Sequence, residues 1–406
     1  MTPIESLPRL RVDLAGAPLS PADEAKVAEV RVRRRLSLPA QAEIVFEGTP
    51  EGCVQPGASV RIGVGDDDLP LFAGEVTALE QAFLPTGGAL VRVRAYDALH
   101  RLRKRRPMRV HVQVDPAGLA RELASDLGVS VVADAAGPVQ ERRAQAGPSD
   151  LDLLRSTTRD CGLYFDLRED VLRLFPLGGS GESVALARGL TLLDATAEQN
   201  LDPSCRSVTA VGWDPARAEV YRGTAAEPRA ARAPGDATDP ARLGEQGTRT
   251  CAGRALQDAA QAEALAQAAL DVEVARELTL RGRAAGDPRL RPGTAVEVSG
   301  LAPGVDGRFV LTKVDHVIDA RQGYVVEFST EPPDPPAPGA GAGVAMGVVA
   351  EVDDPDGLGR VRVTLPGLCD LDAGWAPVMV PGAGSGKGCI ALPDVNDRVL
   401  VLLPDG

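Results

Sequence analysis

The last sixty residues of this 406-residue chain alternate between short apolar runs and Gly/Pro turns, which restricts the region to a small β fold. Two alternating runs, Val348–Val352 and Arg360–Leu365, flank the turn Asp354-Pro355-Asp356-Gly357, which has Pro and Gly where tight turns favour them. Three further short runs follow, Trp375–Val380, Gly388–Leu392 and Arg398–Leu403. Five such strands predict a Greek-key barrel of the OB type over residues 344–406.

Residues 1–114 have the same β character. Their alternating runs are Arg9–Leu14, Ala42–Phe46, Val60–Val64, Leu71–Glu80, Leu90–Tyr96 and Arg109–Val114. The more polar stretch Pro21–Val32 is predicted to carry one or two helical turns. Regular short strands of this kind favour a first β-barrel over an α/β sheet.

Residues 115–178 are predicted to form a compact α/β insert. Asp115 suits the N-cap of a helix, with Pro116 at its first position. A second helix is predicted to begin at Ser149. A hairpin of Leu163–Leu167 and Val171–Phe175 completes the insert.

Residues 179–330 return to β pattern and predict a second barrel. The predicted strands are Arg206–Trp213, Glu277–Arg283, Ala295–Ser299, Arg308–Val317 and Gly323–Phe328. The Ala-rich segment Arg254–Leu270 predicts a helix. Residues 222–250 have almost no large apolar side chain and predict a mobile loop, and the Pro/Gly-rich residues 331–343 predict a linker.

Composition excludes several function classes. The formal net charge of −13 argues against a general binder of nucleic acid or anionic membranes. The six Cys, at positions 53, 161, 205, 251, 369 and 389, form no C-x-x-C pair and lie far from the three His, so we expect buried thiols and no zinc site. The N-terminus has no apolar signal-peptide core, and no apolar run is long enough for a transmembrane helix.

The order of motifs points to a family. The run G-V-V-x-x-V-x-D-P-x-G-L-G-R-V-R-V, then G-W-A-x-V, P-G-A-G-x-G-x-G and L-P-x-V-x-D-x-V-L-V, resembles the OB domain of VgrG-type spike proteins. Upstream, LFAGEVTALE, VRVRAYDALHRLRKRR, SDLDLLRSTTRDCGLYF, VTAVGWDP and GDPRLRPGTAVEVSGL resemble the hub of VgrG and phage late-control D proteins.

The resemblance implies a mainly β, multidomain structural protein: two β-barrel hub domains with an α/β insert, then an OB barrel. It implies a homotrimer at the hub of a bacterial contractile injection system, between a hexameric inner tube and a puncturing spike. Its implied partners are the inner tube protein, baseplate subunits, a PAAR-type tip and toxin cargo. It also implies assembly in the bacterial cytoplasm within a phage-tail-like particle. Family members usually continue past the OB domain into a β-helical needle, so we expect such a continuation after Gly406.

Two motifs invite a ligand interpretation. Gly382–Gly388 resembles a P-loop, but Pro381 replaces the required Gly, Gly388 replaces the Ser or Thr after Lys387, and no helix pattern follows. We expect a glycine loop between strands and no nucleotide binding. Asp353, Asp354 and Asp356 lack the spacing of an EF-hand, so we interpret them as turn carboxylates.

The basic run Arg101–Arg109 holds six cations in nine residues. It is either a docking site for an acidic surface of another subunit or a solvated edge whose charges prevent strand pairing. The smaller cluster Arg31–Arg35 leaves the same alternatives open. His100, His111 and His316 are separate in sequence and show no catalytic constellation, so we expect no catalytic, cofactor or metal residues.

Three functions therefore compete. The favoured one is a non-enzymatic hub and spike base. The alternatives are a tail-associated cell-wall hydrolase, which the missing catalytic constellation disfavours, and a toxin-cargo adaptor. The sequence does not distinguish a phage tail from a type VI system or an extracellular injection particle.

Overall fold

The computed structural model describes residues 9–51, 54–65, 70–85, 88–202, 204–214, 219–230, 247–334, 343–380, 382–384, 387–389 and 391–403. The fold is mainly β, with 49% strand and 15% helix, and is multidomain with a C-terminal OB domain. The predicted fold class is thus confirmed. Within the described residues, no helix has the length and apolar character needed to cross a membrane.

The six strands predicted for the N-terminal part are present with similar bounds, and two further strands were not predicted. The elements of this part are β1 Leu10–Leu14, β2 Ala17–Pro18, α1 Pro21–Glu24, β3 Val27–Arg35, β4 Gln41–Glu47, β5 Ser59–Val64, β6 Phe72–Phe83, β7 Ala89–Tyr96, the 3-10 helix Ala98–Lys104 and β8 Arg109–Val114. Pro21–Val32 carries one helical turn, as predicted, capped by Ser20, but its last residues belong to β3, which the sequence pattern did not predict. In β3 the buried positions alternate at Val30, Val32 and Arg34, as in a strand covered on one face.

The two helices and the hairpin predicted for the insert are present. Its elements are α2 Pro116–Ala124, β9 Ser130–Ala133, β10 Gln140–Gln145, α3 Asp150–Asp160, β11 Leu163–Arg168 and β12 Val171–Pro176. The Asp115 side chain accepts from the Gly118 amide, and the Ser149 hydroxyl accepts from the Asp152 amide, so each caps its helix. Leucines of α2, α3 and the hairpin share one buried cluster.

The second half contains β13 Val184–Ala187, β14 Leu192–Gln199, β15 Ser207–Asp214, β16 Glu219–Ala225, β17 Thr248–Ala255, α4 Ala259–Glu277, β18 Leu278–Ala285, β19 Ala295–Ser299, β20 Gly307–Val310, β21 Lys313–Asp319 and β22 Gly323–Ser329. Three predictions need correction here. The helix begins at Ala259 and not Arg254, because Asp258 caps it and the preceding residues pair in β17. Arg308–Val317 is two strands. Both ends of the predicted loop 222–250 lie in strands, and its residues 231–246 lie outside the described part.

One sheet joins the two halves of the chain. Among the described residues its order is β14-β18-β22-β21-β3-β4-β7-β6-β5-β1-β2. The central pairing is antiparallel between β21 and β3, from Lys313 opposite Arg35 to Asp319 opposite Glu29. One apolar cluster lies under the N-terminal strands and another under the strands of the second half. The β3–β21 pairing therefore makes one continuous sheet from segments some 280 residues apart.

The OB domain contains β23 Gly343–Glu351, β24 Arg360–Leu365, β25 Leu371–Pro377, β26 Ala383–Gly384, β27 Lys387–Gly388 and β28 Arg398–Leu403. Its four-stranded sheet has the order β25-β24-β23-β28, so β25 and β28 form the two edges. The predicted strands Arg360–Leu365 and Arg398–Leu403 have the predicted bounds, whereas only Gly388 of the predicted Gly388–Leu392 is found in a strand. The domain contacts the insert, where Arg142 Nη2 donates to the Asp372 carbonyl at 2.9 Å.

Candidate functional site: a buried ion-pair junction and a basic cleft

A buried ion-pair junction connects β3, the insert and the second half of the chain. We use the name central junction for Arg34, Asp166, Arg168 and Arg291. Arg34, on the covered face of β3, lies 3.4 Å from Asp166 Oδ1, and both side chains are almost fully buried. The Arg34 guanidinium also donates to the carbonyls of Leu167 at 3.1 Å and Leu71 at 3.0 Å. A single side chain of β3 thus bonds to two other segments of the fold, β11 and the residue before β6.

Arg291 and Arg168 extend the central junction toward the second half. Arg291 Nη2 donates to the Pro70 carbonyl at 2.9 Å, next to the carbonyl that Arg34 uses. Arg168 Nη2 donates to the Pro292 carbonyl at 3.2 Å, and its Nε lies 3.5 Å from Asp166 Oδ2. Burial, and then the nearby Arg34 cation, lower the pKa of Arg291 to about 10. Asp166 is the carboxylate of the central junction, and it lies within 3.5 Å of two of its cations, Arg34 and Arg168.

Asp97 connects this buried region to the basic run. Its Oδ2 accepts from the Ala40 amide at 2.8 Å, and its Oδ1 accepts from the Leu99 amide at 3.1 Å, which caps the 3-10 helix Ala98–Lys104. Burial raises the pKa of Asp97 to about 7. The two hydrogen bonds from backbone amides and the Arg34 charge lower this pKa but do not cancel the effect of burial. This carboxyl therefore caps the helix that carries the first cations of the run, Arg101, Arg103 and Lys104.

We expect the stability of the wild type to fall by about 2 kcal/mol between pH 5 and 7, relative to Asp97→Asn. In this window the folded state keeps the Asp97 proton, whereas the unfolded state, with an ordinary pKa of 3.8, has lost it. The stabilisation that comes from the raised pKa of Asp97 is therefore complete below pH 3.8 and is lost as the pH rises through about 7. Urea denaturation at pH 5, 6 and 7 measures the difference.

Two buried histidines change the stability with pH in the direction opposite to Asp97. Comparing the wild type with Asp97→Asn removes their effect. Burial lowers the pKa of His100 and of His316, so both favour the folded state as the pH rises. Both are present in the wild type and in Asp97→Asn, and their effects cancel in the difference. Parallel stability curves for the two proteins would show that Asp97 keeps an ordinary pKa.

The basic run Arg101–Arg109 is partly neutralised within the chain. Arg101 donates to both oxygens of Glu75, at 3.1 and 2.6 Å. Arg105 pairs with Asp126 at 2.8 Å, and Arg109 lies 3.1 Å from Asp150. The remaining cations, Arg103, Lys104 and Arg106, are exposed and pair with no carboxylate in the described part of the chain.

Arg103 and Lys104 line an open cleft of roughly 400 Å³ together with Pro56, Gly57, Glu75 and Tyr96. We call it the basic cleft. The Arg103 guanidinium lies over the Tyr96 ring, 4.4 Å from its centroid. Sequence reasoning found the basic run but not the cleft, because Glu75 and Tyr96 come from other strands.

Three of the four arginines in the cluster Arg31–Arg35 are paired within the chain. Arg31 Nε donates to Glu29 at 2.9 Å. Arg35 forms a two-bond pair with Asp315 across the β3–β21 contact, with one bond at 3.1 Å. Arg34 belongs to the central junction. These contacts favour a structural role for the cluster over a docking site.

The turn carboxylates organise the β23–β24 hairpin. Asp354 accepts from the amides of Asp356, Leu358 and Arg360 at 3.1, 2.9 and 3.1 Å, and from Arg360 Nη2 at 2.7 Å. The Arg360 guanidinium holds the pKa of Asp354 well below its usual range. These bonds support the turn interpretation. Asp353, which is exposed, precedes this network in the same loop.

The glycine loop Gly382–Gly388 and the three histidines lie in separate parts of the structure and form no common site among the described residues. Ala383–Gly384 pairs with Lys387–Gly388 in a small hairpin, while Pro381 lies outside the described residues. His111 Nδ1 lies 3.0 Å from Glu122, and His316 Nδ1 lies 2.9 Å from the Tyr324 hydroxyl. In the described part of the chain, no group of three or more His, Cys, Asp or Glu could hold a metal ion.

The cysteines only partly match the expectation of buried thiols. The described cysteines form no disulfide, and Cys53 lies outside the described residues. Cys161 and Cys205 are buried, and burial raises the pKa of Cys161 to about 12. Cys369 and Cys389 are exposed, contrary to the prediction, because both lie in loops of the small OB domain.

Comparison with known families accounts for most of the chain. The profile of the Alg8 N-terminal domain matches residues 22–320, which is more than half of the chain. The profile of the type VI secretion system/phage-baseplate injector OB domain matches residues 345–406. A search of curated proteins found no match.

Solved structures share the fold at low identity. The 43 kDa tail protein of prophage MuSo2 from Shewanella oneidensis is 12% identical with a TM-score of 0.58, and the match covers 79% of this chain and 97% of that one. The E. coli c3393 protein, a type VI secretion component described as similar to phage T4 gp27 and gp5, is 17% identical with a TM-score of 0.53, covering 84% and 85%. A chain of the Francisella PdpA–VgrG complex is 7% identical with a TM-score of 0.52, covering 97% and 76%.

These matches confirm the resemblance to VgrG-type spike proteins and support a structural role at a baseplate or spike. The OB match covers the region whose motif order led to that resemblance. The chain belongs to the Alg8 N-terminal domain family and carries an injector OB domain after it.

Proposed function

We propose that this protein is the homotrimeric hub and spike base of a contractile injection system, joining a hexameric inner tube to a puncturing spike. Residues 1–114 and 179–330 supply two related β domains per subunit, with the insert 115–178 between them. The linker 331–343 leads to the OB domain 344–406. Three subunits then present six similar surfaces to the tube. The role is mechanical and needs no catalytic residue.

The observation that carries the proposal is an exposed apolar face at one edge of the OB sheet. Val344 lies opposite Leu402 and Met346 opposite Leu400 on β23 and β28. Their exposed fractions are 61%, 51%, 55% and 72% in that order. We call these four residues the OB outer face. Four large apolar side chains side by side on a two-stranded surface are typical of an interaction site.

A second copy of the chain is the occupant that fits this face. Strand β28 is an edge strand and leaves a row of backbone groups available for another chain. At the other edge, β25 ends at Pro377 and is followed by Met379, which is 79% exposed. A cyclic trimer needs two different surfaces on each subunit, one for each neighbour. The OB outer face beside β28 and the opposite edge at β25 and Met379 supply them.

The other proposed partners come from the family resemblance. The inner tube protein and baseplate subunits contact the hub halves, while a PAAR-type tip and toxin cargo belong to the spike side. We place the protein in the bacterial cytoplasm during assembly and in a phage-tail-like particle afterwards. Support comes from the tail and type VI proteins that share the fold.

Replacing Leu400 and Leu402 by Thr is expected to convert trimers to monomers at micromolar concentration. Thr keeps the β preference of the strand and removes the apolar contact surface. Sedimentation velocity on the full chain measures the mass. Leu358→Thr is the matched control, because Leu358 is equally exposed but lies at the tip of the β23–β24 hairpin. A wild type that is monomeric at every concentration would contradict the trimer, and an unchanged trimer in the double variant would contradict the OB outer face as its interface.

A further inference from the structure

We propose that the basic cleft binds an acidic segment of a partner protein, through carboxylates that pair with Arg103 and Lys104. This inference rests on the proposed hub function and names the chemistry of one of its contacts. The cleft is open to solvent, and Arg103 and Lys104 lie in its wall beside Glu75, so it suits a short carboxylate-bearing side chain.

Charge balance within the cleft leaves two cations without a counterion. Glu75 is the carboxylate of the cleft, and both its oxygens bond to Arg101. His100 Nε2 also lies 2.9 Å from Glu75 Oε1. The hydrogen bond from Arg101 lowers the pKa of Glu75, and the Lys104 charge acts in the same direction. Glu75 is therefore ionised and already engaged, whereas Arg103 and Lys104 pair with no carboxylate among the described residues.

The arginine is held in place before any ligand arrives. Gly74 brings β6 so close to β7 that a Cβ there would lie 2.2 Å from the Tyr96 carbonyl oxygen. The Tyr96 backbone is thus packed closely against β6, and its ring lies beneath the planar Arg103 guanidinium. The Asp97 cap fixes the start of the 3-10 helix that carries both cations. A guanidinium ordered on an aromatic ring loses little freedom when it forms a carboxylate pair.

Two observations favour a protein carboxylate over a nucleic acid. The Tyr96 face that could stack on a base is covered by Arg103. The chain as a whole carries a net charge of −13, which repels a polyphosphate but allows a short acidic segment to reach a local basic site.

Carbodiimide cross-linking to an N-acetylated, C-amidated hexaglutamate peptide tests the proposal on the full chain. The chain has four lysines, at positions 26, 104, 313 and 387, so the cross-linked residue can be assigned by mass spectrometry. Lys26 and Lys313 are held by Asp23 and Glu331. We expect the amide mainly on Lys104, at least about fivefold over the exposed Lys387, because prior binding raises the local carboxylate concentration.

Matched variants separate the site from general charge. Arg103→Ala is expected to reduce the Lys104 product several-fold, whereas Arg106→Ala, in the same run but bonded to the Gly147 carbonyl, leaves it unchanged. Equal yields on Lys104 and Lys387, or equal effects of the two variants, would overturn the proposal. Equal competition by hexaglutamate and a hexathymidylate oligonucleotide for the labelled peptide would overturn the choice of a protein carboxylate. Sedimentation on the same samples reports the trimer separately, so a failed cleft and a failed hub proposal give different results.

Discussion

Replacing Arg34 by Met is expected to lower the free energy of unfolding by about 3–5 kcal/mol. Met has a similar unbranched length and fills much of the space. The change leaves Asp166 buried with Arg168 as its remaining partner, at 3.5 Å. It also removes the donors for the carbonyls of Leu167 and Leu71. A buried acceptor left without a donor adds to the loss.

Chemical denaturation of Arg34→Met and Arg33→Met measures this effect. Arg33 is the adjacent residue of β3 but lies on the other face, so its replacement is expected to cost less than about 0.5 kcal/mol. A double variant, Arg34→Met with Asp166→Leu, is expected to recover part of the lost stability, because it also removes the buried Asp166 charge that Arg34→Met leaves without its main partner. Equal stability of the two single variants would show that the central junction does not hold the two halves together.

Replacing Gly223 by Ala is expected to cost about 3 kcal/mol, the upper end for overpacking. Gly223 lies in β16 under α4, and a Cβ there would lie 2.1 Å from the Glu263 amide nitrogen and 2.3 Å from the Ala262 carbonyl carbon. Both are backbone atoms, so a rotamer change cannot relieve the contact and the helix itself must move. We expect faster amide hydrogen exchange in α4 together with the lower stability.

The control for Gly223→Ala is Gly367→Ala. A Cβ at Gly367 meets no atom within 4 Å, and the residue has an ordinary backbone conformation. Its replacement is expected to be neutral or slightly stabilising, since Ala restricts the unfolded chain. If both variants have the same stability, α4 does not pack on β16 as closely as the structure shows.

Strand positions with clear alternation could be predicted from sequence alone. Arg109–Val114, Ala295–Ser299, Arg360–Leu365 and Arg398–Leu403 have the same bounds in the structure as in the prediction. In the first three the apolar residues recur at every second position, whereas Val399 to Leu403 is a continuous apolar run, and Gly or Pro lies close by each of the four in the chain. Capping of the insert helices was predictable for a similar reason, because Asp115 and Ser149 bond to amides only three residues away.

Strand β3 was missed because a cation occupies one of its covered positions. Val30 and Val32 begin the alternation, but Arg34 continues it, and an arginine normally indicates a solvent-facing residue. Its partner Asp166 lies 132 residues away. The basic cleft was hidden for the same reason, since Arg101, Arg105 and Arg109 find their carboxylates on other elements. Local pattern does not tell which cations of a run are already paired.

The pairing of β3 with β21 also governs the order in which the chain can fold. During synthesis β3 is complete early, but its partner strand ends only at Asp319. Until then one side of β3 has no neighbour, and the chain must hold an open strand edge through nearly three hundred residues of translation. Closure of so long a loop is slow. We therefore expect nascent chains cut before residue 313 to be captured by chaperones or to aggregate, and chains released after residue 330 to reach a protease-resistant state.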